Sequence, residues 1–158
     1  VSKESDAELL AAARAVRENA HAPYSRFTVG AAVRDEQGRV HVGCNVENAS
    51  YGLTICAERN AVAAAVAAGA RGVRAVAVVT PTRPPGSPCG ACRQVLAELG
   101  AARTRVLLAS PSGGAQATTL GALLPRAFVL RGRGSLPLAR PRSPLAPPGK
   151  AGPRARRG

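Results

Sequence analysis

The chain has 158 residues, enough for one domain with a real core and too few for two ordinary ones. Apolar residues make up 46%, which suits a globular protein, and no apolar run approaches the roughly 18–20 residues that span a bilayer. The net charge of +13 is uneven: residues 1–125 hold 13 Lys/Arg against 9 Asp/Glu, whereas residues 126–158 hold 9 Lys/Arg and no acid. The basic balance therefore describes a tail, and it is poor evidence for a nucleic-acid-binding fold.

The opening "VSKESDAELLAAA" is charged and then helical, unlike a signal peptide. Ser5-Asp6-Ala7-Glu8 reads as a capping box, and the helix is expected from Asp6 to Asn19 with Leu9, Ala12, Ala13 and Val16 as its apolar stripe. "HAPYSRF" follows as a loop. "TVGAAVRD" and "RVHVGCNVEN" around "EQG" read as a hairpin, apolar enough on both faces that each should be covered. "ASYGLT" is a loop, and Thr54 is expected to cap a helix from Ile55 to Ala68 that Gly69 stops. "GVRAVAVVT" reads as a buried strand and "PTRPPGSP" as a rigid loop. Cys89 to Leu99 read as a helix, "RTRVLLAS" as a strand, "PSGGAQAT" as a loop and "TLGALLP" as a short helix. The order αββαβαβα argues for an α/β layered sheet with helices on its faces. Residues 1–128 form the expected domain. From Val129 the chain is rich in Pro, Arg, Gly and Ser and lacks acids, so 129–158 is expected to be a disordered basic tail.

Four cysteines without a secretory pattern favour metal or redox chemistry over a disulfide framework, and the compartment reads as cytoplasmic. Cys89-Gly90-Ala91-Cys92 opens one expected helix and Cys56 opens another. Helix N-termini favour thiolates, and two of them meeting can place three sulfurs around one zinc. Three protein ligands are a catalytic count, because structural zinc normally takes four. Such a metal lowers the pKa of bound water to about 7, and a nearby carboxylate must then move the proton. Glu58, two residues after Cys56, is placed for that work. Taken alone, the CxxC could be a redox pair and Glu58 a surface residue favoured by the helix dipole. Together, with Pro88 before the pair, they fit the pattern of zinc nucleobase deaminases. Arg59 beside the cluster would offset the excess negative charge of three thiolates on zinc; the plainer alternative is a surface ion pair.

The strings "GCNVENASYGLTICAERNAV" and "SPCGACRQVL" resemble the short homotetrameric zinc-dependent cytidine deaminases, over about Glu8 to Phe128. The resemblance implies a three-layer α/β/α sandwich with a mixed central sheet. It implies one zinc per chain on Cys56, Cys89 and Cys92, with Glu58 as proton shuttle and Arg59 as charge balance. It also implies that Asn45 and Glu47 bond the ribose hydroxyls with the Val46 backbone between them, and that Phe27 packs on the pyrimidine. The resemblance implies a homotetramer in which Tyr51 either packs near a neighbouring subunit's site or pins its own loop, and in which Phe128, retained just before the chain diverges from the family pattern, would be a neighbouring-site contact. The implied reaction is hydrolytic deamination of cytidine and deoxycytidine to the uridine product and ammonia, in pyrimidine salvage. Cys44, His21 and His41 fall outside these motifs and read as structural or solvent-exposed; Cys44 is expected to be a small buried hydrophobe.

Three rivals compete with this reading. A blasticidin-type deaminase shares the cysteine motifs but not the ribose-site string "NVENASYG". Polynucleotide deaminases generally use His as first ligand, and this chain lacks extra aromatics for base stacking. A non-catalytic nucleic-acid-binding protein would act through the tail, although such a string usually reads as solvated.

Overall fold

Leu9, Leu10 and Ala13 all point one way from the first helix, and all three are buried. The computed structural model describes residues 3–130, and in it this helix, α1, spans Lys3–Arg17. Ser5 lies inside α1, so the expected capping box does not mark its start. The helix ends two residues short of Asn19, where the bonds Glu18 N to Ala15 O and Asn19 N to Val16 O tighten the last turn.

Strands β1 (Gly30–Asp35) and β2 (Val40–Cys44) pair antiparallel, Gly30 against Cys44 through Arg34 against Val40. The turn uses Gly38 at φ +89°, a left-handed conformation suited to glycine. A buried carboxylate locks this hairpin. Asp35 accepts from Gln37 N and Arg39 N, both at 2.9 Å, and from Arg39 Nε at 2.7 Å, while His41 Nε2 lies 2.9 Å away. Burial alone would push the Asp35 carboxyl up; the bonds from His41, Arg39 and the backbone outweigh it and hold the carboxyl at about 2.

A 3-10 turn at Tyr51–Leu53 precedes α2 (Ala57–Ala67), and β3 (Val73–Val79), α3 (Gly90–Leu99) and β4 (Arg105–Ala109) follow. Then come β5 (Ala115–Thr119) and α4 (Leu120–Leu123). The sheet order is β2-β1-β3-β4-β5, with β3 and β4 parallel and the other pairs antiparallel. The helix between β3 and β4 is the crossover that a parallel pair requires.

The strands bury alternate residues on opposite faces. Ala32, Ala75, Ala77, Val79, Leu107 and Ala109 meet Leu9, Leu10 and Ala13 of α1. Ala31, Val33, Val76, Val78, Val106 and Leu108 meet α2, α3 and α4 through Ala61, Val62, Ala65, Leu96 and Leu120. The result is the expected three-layer α/β/α sandwich with a mixed sheet. Two glycines bring helix and sheet close. A Cβ at Gly30 would lie 2.1 Å from Ala13 O, and one at Gly43 would lie 2.3 Å from Ala61 N.

Four further expectations need correction. β5 falls in the expected "PSGGAQAT" loop but is an edge strand whose first three residues are exposed, and "AQATT" carries no apolar alternation to betray it. Thr54 does not cap α2; it follows the 3-10 turn, and the cap position belongs to Cys56. The hairpin is covered on both faces along β1 but not along β2, an edge strand that leaves Val42 exposed. Cys44 is half-buried rather than buried, and its thiol donates to Asn19 O at 3.5 Å. His41 is structural, as expected, through Asp35. The expected tail lies, from residue 131, outside the described residues. Among the described residues no helix is long and apolar enough to cross a membrane.

Candidate active site

Two helix starts meet beneath one cavity. Cys56 occupies the N-cap of α2 and Cys89 the N-cap of α3, both in extended backbone and neither using its side chain as a cap. Their sulfurs are therefore free to face outward from the helix ends. Cys92, one turn into α3, is fully buried beneath them. Cys56 and Cys89 Sγ are 4.0 Å apart, Cys89 and Cys92 Sγ 3.5 Å, and all three lie within 4.8 Å of one another.

These distances can be tested against a metal. Tetrahedral zinc with bonds of about 2.3 Å places its sulfurs about 3.8 Å apart. The two observed separations bracket that value. The electrostatics agree. Cys56 is drawn down to about 5, chiefly by the Cys92 thiol and then by Arg59 and Cys89 against the effect of burial. The same partnership with Cys56, with burial and Glu58 behind it, pushes Cys92 up. Without a cation one sulfur ionises easily and its neighbour resists. A divalent soft-ligand metal removes that conflict, so the donor set fits zinc.

Glu58 sits in the first turn of α2, only 4% exposed. Burial first, and the Cys56 charge second, push its carboxyl up. Arg59 reaches back over the turn: one terminal nitrogen donates to Thr54 O at 2.9 Å and lies 3.9 Å from Cys56 Sγ. The guanidinium thus ties the turn to the segment before α2 and lies close to one of the three sulfurs. Its Nε is buried without a partner among the described residues.

The cavity above the sulfurs has a volume of about 220 Å³. Cys56, Cys89 and Glu58 line it, together with Phe27, Asn45 and Glu47. Asn45 is buried, and its amide is largely committed: Oδ1 accepts from Val29 N and Nδ2 donates to Phe27 O, both at 2.8 Å. One amide N–H remains for a ligand among the described residues. Glu47 accepts at Oε2 from Tyr24 N (2.9 Å) and Ser25 N (3.2 Å), and at Oε1 from the Ser25 hydroxyl. The Ser25 hydroxyl, with the two amides, holds the Glu47 carboxyl below its usual range.

Val46 is not part of this lining. Its N–H and C=O are both taken by Ile55, at 2.9 and 3.0 Å, and its side chain is exposed. Its backbone serves to dock the strand end onto the segment before α2. Tyr51 packs edge-on to Tyr24, ring centroids 5.9 Å apart, in an adjoining cleft of about 360 Å³ that shares Ser25, Glu47 and Thr54. Phe128 is 71% exposed, and both its backbone polar groups bond the Gln94 side chain. Sequence reasoning missed Ser25, Thr54, Thr80, Gly86 and Ser87, all of which line the cavity. Thr80 Oγ1 accepts from Gly86 N at 2.6 Å and so folds the proline-rich loop over the site. Small hydroxyl residues in loops carry no periodic signal.

The family described as the cytidine and deoxycytidylate deaminase zinc-binding region matches residues 3–108. Among similar proteins, a cytidine deaminase of Sporosarcina psychrophila is 48% identical over 121 residues, 77% of this chain and 89% of that one. A cytidine deaminase of Halalkalibacterium halodurans is 53% identical over 113 residues, 72% of this chain and 86% of that one. Among solved structures, the cytidine deaminase of Burkholderia pseudomallei superposes with a TM-score of 0.75 at 51% identity, covering 81% of this chain and all of that one.

Proposed function

The chain belongs to the cytidine and deoxycytidylate deaminase family of zinc-binding hydrolases, and from that premise we propose that it hydrolyses the exocyclic amine of cytidine, and of 2′-deoxycytidine, to give the uridine product and ammonia in pyrimidine salvage. The observation that carries this reading is the buried Glu58 carboxyl beside three converging sulfurs, at one end of a cavity whose other residues suit a nucleoside.

Cys56, Cys89 and Cys92 would hold one zinc, which supplies a Lewis acid and makes water nucleophilic near neutral pH. Glu58 takes the proton of the attacking water, delivers it to ring nitrogen N3 and passes a proton to the leaving amine. Burial keeps that carboxyl away from bulk water and fixes it on a helix anchored by Ala57, Ala61 and Ala65. Phe27 packs on the base. Glu47 and the remaining Asn45 N–H take the sugar hydroxyls, and Arg59 offsets thiolate charge.

The cavity favours a nucleoside over a nucleotide. Among the described residues its acidic side chains are Glu47, Glu58 and the Cys56 and Cys89 thiols, and neither Lys nor Arg lines it. A phosphate dianion would meet a carboxylate there. We place residues 1–128 as the catalytic domain and the basic tail outside it. A site that needs three free thiols suits a reducing compartment such as the cytoplasm. A homotetramer accounts for the exposed apolar groups Tyr51, Leu53 and Ile55 beside the site.

The test is a substrate screen. Zinc-loaded protein is incubated with cytidine, cytosine, CMP and blasticidin S. Turnover of cytidine with little of CMP is expected; absence of cytidine turnover overturns the reading.

A further inference from the structure

The loop between α1 and β1 crosses the cavity, and a sharp turn shapes it. Arg26 sits at φ 59°, in the left-handed region that residues with a Cβ seldom occupy. Around that turn three donors converge on one carboxylate: the Tyr24 and Ser25 amides on Glu47 Oε2, and the Ser25 hydroxyl on Oε1. The same hydroxyl oxygen accepts from Phe27 N at 2.9 Å. Ser25 is thus bonded at once to Glu47 and to the backbone of Phe27. The two amides can hold Glu47 by one oxygen only, which leaves the carboxylate free to swing about that anchor. The hydroxyl supplies the second point and sets which lone pairs of Oε1 face the cavity.

We propose that Ser25 is a positioning residue for the sugar: it orients the Glu47 carboxylate and ties that orientation to the loop bearing Phe27. This rests on the reading of Glu47 as a ribose ligand. A serine that merely stiffened the loop would affect every substrate alike. A serine acting through Glu47 affects only substrates whose sugar hydroxyls Glu47 can reach.

The experiment compares cytidine with 2′,3′-dideoxycytidine in the zinc-loaded wild type, Ser25→Ala, Ser25→Thr, Glu47→Ala and the Ser25→Ala/Glu47→Ala double variant. Loss of a hydrogen bond to a charged group predicts that Ser25→Ala raises KM for cytidine about tenfold. Because the sugar is remote from the reacting atoms, kcat should change less than about threefold. The dideoxy substrate should show almost no change. Ser25→Thr, which keeps the hydroxyl, should stay within about threefold of wild type, and Ser25→Ala should add little in the Glu47→Ala background. An equal loss on both substrates overturns the inference, since it marks general loop damage. A full Ser25→Ala loss in the Glu47→Ala background also overturns it, since Ser25 would then touch the sugar directly. If Glu47→Ala itself does not distinguish the two substrates, the ribose reading of Glu47 falls, and the inference falls with it.

Discussion

Glu58 and Cys92 are both buried at the centre of the site, and they make opposite predictions. Replacing Glu58 by Gln keeps the side-chain shape and removes the exchangeable carboxyl proton. General acid–base groups contribute about a hundred- to ten-thousand-fold, so Glu58→Gln should lower kcat within that range. Metal analysis should still find zinc, because Glu58 is not one of the three converging sulfurs. Retained turnover would remove Glu58 from its role. Cys92→Ala has the opposite signature. It removes a buried sulfur that lies 3.5 Å from Cys89, so zinc content itself should fall, and activity with it. The four ionisable groups at the centre were readable from spacing because short helical motifs place them. Ser25 and Thr80 were not, since their positions depend on how two distant loops fold over the cavity. Val46, between Asn45 and Glu47, does not line the cavity, for the same kind of reason. Its neighbours Asn45 and Glu47 do line the cavity, but the bonds to Ile55 take its backbone away.

At the scale of elements, strongly patterned segments were legible and weakly patterned ones were not. β3 and β4 announce themselves by β-branched and leucine runs that the two layers bury. β5 has no such run, since it pairs with β4 through its backbone and leaves its first three side chains exposed. The hairpin gives a stability prediction with a definite sign. Asp35 titrates at about 2 in the folded chain against an ordinary 3.8. Its folded value is depressed, so its contribution is present above about pH 4 and is lost as pH falls through about 2. By linkage that contribution is on the order of 2 kcal/mol. Denaturant unfolding of wild type and Asp35→Asn should differ by that amount near neutrality, and the gap should close between about pH 4 and pH 2. A gap that stays constant with pH would show that the charge is not the source. A second prediction concerns Gly43, where α2 touches β2. A Cβ there would lie 2.3 Å from Ala61 N and 2.6 Å from Ala57 O, both backbone atoms of the helix that carries Glu58. Gly43→Val must push α2 outward, at about 1–3 kcal/mol or more. Zinc content and turnover should fall together with the unfolding midpoint.

For the whole molecule, the outer face of α2 poses a problem of solvation. Its body, "AVAAAVAA", contains no polar side chain, yet only Ala61, Val62 and Ala65 of it are buried. Ala63, Ala64 and Ala67 are exposed, and Val66 is 40% exposed. A surface helix normally turns a polar face to water, and a helix apolar all round is normally buried. The sheet covers one side of this one, so a second copy of the chain is the covering that the proposed tetramer provides. The same helix holds Glu58 and Arg59 at its start, so packing along its outer face would also steady the site. Light scattering should therefore give a mass four times the 16.0 kDa of one chain. Val66→Lys adds a charge to that face without touching the buried one. It should reduce the mass and lower turnover at concentrations where wild type remains assembled. A Val66→Lys protein that keeps wild-type mass and activity would move the interface elsewhere, and a wild-type monomer would leave this apolar face without an explanation.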